Sequence, residues 1–206
     1  MPGKERIILG IDPGTRIMGY GIIKAEGQKF SFVDMGVVNM TQEADPLLRL
    51  ERIQQEVTRI VQTYHPDCLS IETPFYGKNV QSLIKLGRAQ GVAIATGMTL
   101  GVKVFEYAPL KIKQSLTGKG SASKEQVCAM VFRLLGLHME QPKYLDATDA
   151  MAAAICHGIH CRLDDLKQTT RVLTPGSSAK SIKSTKVKSK KTNWAEFLAQ
   201  HPNRIV

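Results

Sequence analysis

Two short apolar runs along the chain each end in a carboxylate and a proline. Ile7 to Ile11 is apolar apart from Gly10, and Asp12-Pro13-Gly14 follows. Cys68 to Ile71 is likewise followed by Glu72-Thr73-Pro74. Apolar runs of this length, bounded by Pro and Gly, predict buried strands that end in turns. Each of these two strands is therefore expected to carry one acidic side chain at its carboxyl end.

The rest of the pattern predicts three more strands, at Gly19 to Ile23, Phe30 to Val38 and Val102 to Glu106. Apolar positions three and four residues apart predict helices over 45–64, 80–99, 109–116, 121–135 and from Asp146 to about Leu163. The fold class expected is α/β, with a central mixed five-stranded sheet flanked by helices. In a βαβ arrangement, Asp12 and Glu72 would end neighbouring strands at the same edge of the sheet.

Each of these two carboxylates also has a simpler interpretation. Asp12 could cap the Pro13-Gly14 turn through its side chain, and Glu72 could pair with a nearby lysine. An unpaired charge at the end of a buried strand is costly, however. The matching positions on two strands therefore favour a shared site.

Two further carboxylates begin the last predicted helix. Asp146 and Asp149 are three residues apart and so lie on one helical face, near the helix N-terminus that favours their charged forms. Helix capping would account for Asp146 but not by itself for Asp149. The alanines that follow would allow this helix to lie close against a sheet.

The four carboxylates together predict a metal site. Grouped carboxylates repel one another unless cations neutralise them, and all-oxygen ligands select Mg²⁺ or Mn²⁺. Two such ions about 4 Å apart can activate a water molecule and stabilise the leaving oxygen of a phosphodiester.

Two other motifs are weaker. Cys156 to Cys161 holds two cysteines and two histidines, but no second ligand pair stands at zinc-finger spacing. We expect the end of a helix there rather than a zinc site. The loop Thr117 to Ser121 does not match the G-x-x-x-x-G-K-[ST] pattern of a nucleotide-binding loop.

Positive charge is unevenly distributed along the 206 residues, whose formal net charge is +10. Residues 1–166 hold 19 Lys and Arg against 17 Asp and Glu, a net +2, whereas residues 167–206 hold 9 against 1, a net +8. We expect one globular domain over 1–166 and a basic, disordered tail over 167–206. Within the tail, Trp194 to Leu198 is a short apolar segment that could dock a partner.

Nothing in the sequence suggests a membrane partner. No apolar run approaches the roughly 20 residues of a membrane-spanning helix, and the first residues lack the apolar segment of a secretory signal. The four cysteines occur in helix-like or strand-like contexts rather than in a loop framework, which favours a reducing, cytoplasmic location.

Four stretches in the same order resemble the RuvC family of Holliday-junction resolvases: ILGIDPGTRIMGYGII, IETPFYGKNVQSLIKLGRAQGVAIA, VFEYAPLKIKQSLTGKGSASKEQV and DATDAMAAAICH. Together they extend over about residues 7–160. The resemblance implies a ribonuclease H-like fold, with the nuclease domain in residues 1–166. The region from about Lys167 lies outside it.

The resemblance also assigns site residues by position. It implies that two Mg²⁺ ions per subunit, or Mn²⁺ as a substitute, are bound by Asp12, Glu72, Asp146 and Asp149. Basic residues close to the scissile phosphate would be Lys113 and Lys124. Phe75 would be the aromatic residue inserted at the junction crossover. Other DNA contacts are expected from nearby loop residues, namely Tyr76, Lys78, Asn79 and Lys119.

The predicted function is a Mg²⁺-dependent endonuclease that nicks two opposed strands of a four-way DNA junction. The resemblance further implies a homodimer, with one active site per strand, that cooperates with a branch-migration motor of the RuvA and RuvB type.

Three alternatives stay open. Related nucleases of ribosomal RNA precursors are typically shorter and should lack the aromatic and basic loop at 75–79. Phosphotransferases of the actin and sugar-kinase type share the Asp-x-Gly-Thr opening of Asp12 to Thr15, but their fold needs two such domains. A catalytically silent DNA-binding module is the third, and the intact acids argue against it.

Overall fold

The computed structural model of the chain describes residues 5–27, 29–74, 79–138, 140 and 142–173, with the backbone alone from residue 162 onward. Five strands form one sheet: β1 (Arg6–Asp12), β2 (Ile17–Glu26), β3 (Lys29–Asn39), β4 (Cys68–Glu72) and β5 (Lys103–Tyr107). Five helices complete the fold: α1 (Pro46–Tyr64), α2 (Val80–Thr99), α3 (Pro109–Thr117), α4 (Lys124–Leu135) and α5 (Asp146–Leu173).

The sheet is mixed, as predicted, with the strand order β3-β2-β1-β4-β5. β1, β2 and β3 form an antiparallel meander, whereas β4 and β5 run parallel to β1. Ile11 of β1 pairs with Ile71 of β4. The next residue of each strand is the predicted acid, so Asp12 and Glu72 end two adjacent strands side by side.

Both faces of the sheet are covered, which explains why the central strands are apolar runs rather than alternating patterns. Leu9 and Ile11 pack with α1 and α2 on one face, in a core that includes Ile53 and Ala93. Ile8 faces the other side, in a second core formed with α3, α4 and α5. Because side chains alternate along a strand, Asp12 belongs to the α5 side of the sheet.

α5 lies unusually close to the sheet because glycines face it. A Cβ atom added to Gly10 would overlap the carbonyl oxygen of Ala150 and lie 2.8 Å from the backbone nitrogen of Ala154. A Cβ added to Gly19 would overlap the carbonyl oxygen of Asp146. Since Gly19 pairs with Asp12, the first turn of α5 lies directly over the end of β1.

α5 is longer than predicted. It continues to Leu173, so the expected helix end near Cys156 to Cys161, at about Leu163, is wrong. The interior Gly158 does not break the helix; a Cβ there would lie 2.6 Å from the Phe30 ring, so the missing side chain serves packing. The domain boundary near residue 166 stays a prediction, and residues 174–206, including Trp194 to Leu198, lie outside the described residues.

None of the helices in the described part of the chain combines the length and hydropathy that a membrane span requires.

Candidate active site

Four predicted acids come to one edge of the sheet. Asp12 and Glu72 follow the paired residues Ile11 and Ile71 at the carboxyl ends of β1 and β4. Asp146 opens α5 above the β1–β2 pair, and Asp149 follows one turn later on the same helix. The four carboxylates therefore come from distant parts of the sequence and lie at the carboxyl ends of β1 and β4 and the start of α5.

Lys124 joins this group through an ion pair with Asp149. Its Nζ donates to Oδ2 of Asp149 at 2.5 Å, and the Asp149 residue is only 9% exposed. Lys124 is the first residue of α4, where a cation opposes the helix macrodipole. A capping box formed by Ser123 and Gln126 stabilises this helix start and holds Lys124 at the site.

Burial and mutual repulsion raise the pKa values of Asp12, Glu72 and Asp149. Burial raises the pKa of Asp12 well above its ordinary value, and the charges of Glu72, Asp149 and Asp146 raise it further. Burial and then the charge of Asp149 raise the pKa of Glu72 to about 7, although Lys124 and Lys113 act in the opposite direction. Burial also raises the pKa of Asp149 despite its bond to Lys124.

The two predicted lysines act on these acids together. Burial lowers the pKa of the Lys124 ammonium, but the hydrogen bond that it donates to Asp149 and the charges of the acids outweigh burial, so the pKa is raised. Lys113, on α3, lowers the pKa of both Glu72 and Asp149 through its charge. The structure therefore brings both lysines close enough to the acids to influence their ionisation.

The donor set fits a divalent cation by its chemistry. All four acids offer only carboxylate oxygens, which are the ligands of Mg²⁺ and Mn²⁺. Among the residues that the structure describes, no three His, Cys, Asp or Glu side chains are arranged to hold a metal ion. Asp149 instead accepts from Lys124, which supplies the only ion-paired positive charge described for these acids. The residues fit a cation, but their side chains are not in a coordinating arrangement.

The sequence itself identifies the family. The model of the family described as Crossover junction endodeoxyribonuclease RuvC matches residues 8–157, which include all four acids and both lysines. This chain belongs to the RuvC family.

RuvC relatives match almost the whole chain. The Crossover junction endodeoxyribonuclease RuvC of Bacteroides fragilis is 43% identical over 205 residues, 99% of this chain and 98% of the relative. That of Cytophaga hutchinsonii is 42% identical over 201 residues, 98% of this chain and 88% of the relative.

A solved structure also matches the fold. Thermus thermophilus RuvC in complex with Holliday junction substrate superimposes with a TM-score of 0.71 at 30% identity, covering 77% of this chain and 96% of that one. The predicted ribonuclease H-like fold and the resemblance to RuvC are both confirmed. The alternative of ribosomal RNA processing finds no support in these matches.

The predicted DNA contacts are described only in part. Phe75, Tyr76 and Lys78 lie outside the described residues. Asn79 is the N-cap of α2, and its side chain accepts from the backbone nitrogen of Ser82 at 3.2 Å. Lys119 lies exposed in the turn between α3 and α4, where its backbone N–H donates to Thr117 Oγ1 at 3.2 Å. Their DNA contacts stay predictions.

The Cys156–Cys161 segment forms a hydrogen-bonded cluster inside α5. His157 Nδ1 lies 2.8 Å from the Tyr107 hydroxyl, Nε2 lies 3.2 Å from Cys161 Sγ, and the ring stacks on Phe105 at 4.1 Å between centroids. Burial lowers the pKa of His157 to about 4, so the ring is neutral at pH 7. Cys68, Cys128 and Cys156, in the part of the chain that the structure describes, are free thiols.

Ser70 is a positioning residue that the sequence analysis missed. Its Oγ donates to the carbonyl oxygen of Ala153 at 2.7 Å and so ties β4 to α5. Ser70 is fully buried, two residues before Glu72 on the same side of the strand. A single polar residue inside an otherwise apolar four-residue run was the available sequence signal.

Proposed function

We propose that this RuvC-family chain is a Holliday-junction resolvase that cuts two opposed strands of a four-way DNA junction in recombination and DNA repair. Hydrolysis of each phosphodiester would leave a 5′-phosphate and a 3′-hydroxyl, ends that a ligase can rejoin. The observation that carries this proposal is the convergence of four acids and two lysines at one sheet edge, in a chain of this family.

The acids are proposed to bind divalent cations. Asp12, Glu72, Asp146 and Asp149 would hold two Mg²⁺ ions per subunit, or Mn²⁺ in their place, and the ions would supply an activated water and a charge that stabilises the leaving oxygen. The raised pKa values of Asp12 and Glu72 support this assignment, because burial and neighbouring carboxylates disfavour their charged forms and a bound cation would offset both effects.

The lysines are proposed to bind the scissile phosphate. Lys124 already hydrogen-bonds an acid of the site, and Lys113 acts electrostatically on two of them. If cations neutralised the acids, Asp149 would hold the Lys124 ammonium less strongly, and Lys124 could donate to a phosphate oxygen instead. The two lysines would then orient the strand for in-line attack.

A homodimer is proposed because a junction presents two equivalent phosphates related by a two-fold axis. Exposed apolar residues near the starts of α1 and α2 support such a contact: Leu47 is 66% exposed, Leu48 50% and Ile84 53%. A RuvA- and RuvB-type motor as partner and a cytoplasmic location stay predictions.

The test is a nicking assay with the full chain and Mg²⁺. The substrates are a synthetic four-way junction, labelled in turn on each strand, and a linear duplex of the same sequence. We expect paired, symmetric nicks in the junction and an intact duplex. Equal cutting of both substrates, or of neither, would refute the proposal.

A further inference from the structure

Tyr107 lies at the end of β5, beside one of the four acids. It is the residue that pairs with Glu72 in the parallel ladder between β4 and β5. Its carbonyl oxygen accepts from the backbone nitrogen of Thr73, which follows Glu72, at 2.9 Å, and from Thr73 Oγ1 at 3.4 Å. The backbone of Tyr107 therefore holds the segment that carries Glu72 in place.

The side chain of Tyr107 contacts α5. Its hydroxyl oxygen lies 2.8 Å from Nδ1 of His157, which is only 3% exposed. Phe105, two residues earlier on β5, stacks on the same imidazole ring. Side chains two residues apart on a strand share a face, so Phe105 and Tyr107 both face α5. One hydrogen bond and one ring contact thus fix His157 against β5.

His157 belongs to the helix that carries Asp146 and Asp149. An α-helix rises about 1.5 Å per residue, so the eight residues from Asp149 to His157 span about 12 Å along the axis. Because this rise is constant, a bond that holds His157 at one place along the axis also determines where Asp149 and Asp146 lie along it.

Two side-chain hydrogen bonds connect α5 to two different strands. Ser70 on β4 donates to the carbonyl oxygen of Ala153, and Tyr107 on β5 bonds His157 one turn further along the helix. The close contact at Gly10 sets how near α5 lies to the sheet, but van der Waals contacts have no preferred direction. Hydrogen bonds are directional, so bonds at two points along α5 resist both its sliding and its rotation over the sheet.

We propose that Tyr107 and His157 are a positioning pair for the cation site. The backbone of Tyr107 holds the strand end that carries Glu72, and its hydroxyl holds the helix that carries Asp146 and Asp149. The pair would thereby set the separation between acids that come from the two sides of the site. This inference rests on the proposed function and adds to it two residues that act through the acids.

The competing interpretation is that the pair only packs β5 against α5. Packing requires apolar surface, which Phe105 already supplies to the His157 ring. A buried imidazole, by contrast, costs free energy unless its nitrogens are hydrogen-bonded, and an apolar side chain would avoid that cost. A hydrogen-bonded pair at this place therefore fits a requirement for exact position better than a requirement for buried area.

The first test measures cation binding without DNA. Tyr107→Phe keeps the ring and removes the hydroxyl. The matched control is Tyr64→Phe, which removes a hydroxyl that donates to Oδ2 of Asp34 at 2.6 Å on the opposite face of the sheet. Melting temperature is recorded while Mg²⁺ is added, because a ligand of the folded state raises it. We expect Tyr107→Phe to need about tenfold more Mg²⁺ for half of the rise, and Tyr64→Phe to match wild type.

The second test separates the site from overall stability. At limiting Mg²⁺ and saturating junction, Tyr107→Phe should nick about tenfold more slowly than wild type and recover towards its rate in excess Mg²⁺. Its affinity for the junction in a chelator should not change. His157→Phe should show the same defect, and the double variant should be no worse than either single variant, because the two side chains act as one unit.

Equal Mg²⁺ midpoints for Tyr107→Phe, Tyr64→Phe and wild type would overturn the inference, even if both variants melted at a lower temperature. Defects that multiply in the double variant would overturn it too, since the two residues would then act separately. A wild-type protein that binds Mg²⁺ but never nicks a junction would instead refute the proposed function alone, because the melting titration contains no DNA.

Discussion

Glu72 shows at the scale of one residue how a catalytic group can oppose folding. Burial and the charge of Asp149 raise the pKa of its carboxyl group to about 7. The unfolded-state value is near 4.5, so the folded state holds the proton more tightly. Above pH 7, the negative charge of Glu72 therefore lowers the free energy of unfolding by its full amount. This loss disappears as the pH falls through 7 towards 4.5.

Glu72→Gln should accordingly stabilise the metal-free protein. At pH 8 with a chelator we expect a gain of about 1–3 kcal/mol in the free energy of unfolding, which shrinks to near zero below pH 5. Mg²⁺ should raise the melting temperature of the wild type but not of the variant. Urea unfolding at both pH values measures the gain, and a variant no more stable than wild type at pH 8 would contradict it.

Phe75 belongs to the same scale, although it lies outside the described residues. Stacking of an aromatic side chain on an unpaired base contributes about 1–3 kcal/mol. We predict that Phe75→Ala loses junction opening and cleavage while its unfolding midpoint stays near that of wild type. A fluorescent base at the crossover would report the opening, and an unchanged signal with the variant would argue against stacking.

At the scale of elements, the position of α5 determines where Asp146 and Asp149 lie relative to the ends of β1 and β4. Gly10 and Ser70 are paired across β1 and β4, and both face α5. Gly10→Ala would force a methyl group into the backbone of α5, whereas Ser70→Ala removes only the bond to Ala153. We expect Gly10→Ala to destabilise the protein by at least about 2–3 kcal/mol and Ser70→Ala by about 1 kcal/mol. Denaturant unfolding of the two variants checks this order, and equal losses would mean that α5 is free to shift.

The sequence pattern predicts part of this fold and of the candidate site. The two strands and the helix that carry the acids were predicted correctly, because Pro and Gly bound short apolar runs and because the acids follow those runs directly. Lys113 and Lys124 could not be derived from pattern alone, since an isolated lysine usually lies on a solvated surface; only the resemblance indicated them. The close approach of α5 at Gly10 depends on a contact between residues about 140 positions apart, which local periodicity does not contain.

At the scale of the whole molecule, positive charge is concentrated towards the C-terminus. Residues 174–206, beyond α5, hold 7 Lys and Arg against 1 acid, a net +6 of the total +10. A lysine-rich segment that contacts phosphates alone cannot distinguish a junction from a duplex. It should therefore contribute affinity rather than selectivity.

Truncation after Leu173 should weaken junction binding and flatten its salt dependence, while cleavage at saturating protein is retained. Selectivity for junction over duplex should be kept or rise. Salt titrations of the full and truncated chains on one junction measure this directly. Equal slopes would instead favour a segment in which Trp194 to Leu198 docks a protein partner and the lysines only keep it solvated.

The central claim is that carboxylates at the ends of β1 and β4 and the start of α5 hold the cations that cut the junction. Its most direct test is the rate at which Asp12→Asn nicks a synthetic four-way junction in Mg²⁺, measured beside its affinity for the same junction. An amide of the same size cannot offset the charge of a dication, so nicking should fall by at least about a thousandfold while binding stays close to wild type. A variant that nicks at the wild-type rate would contradict the account.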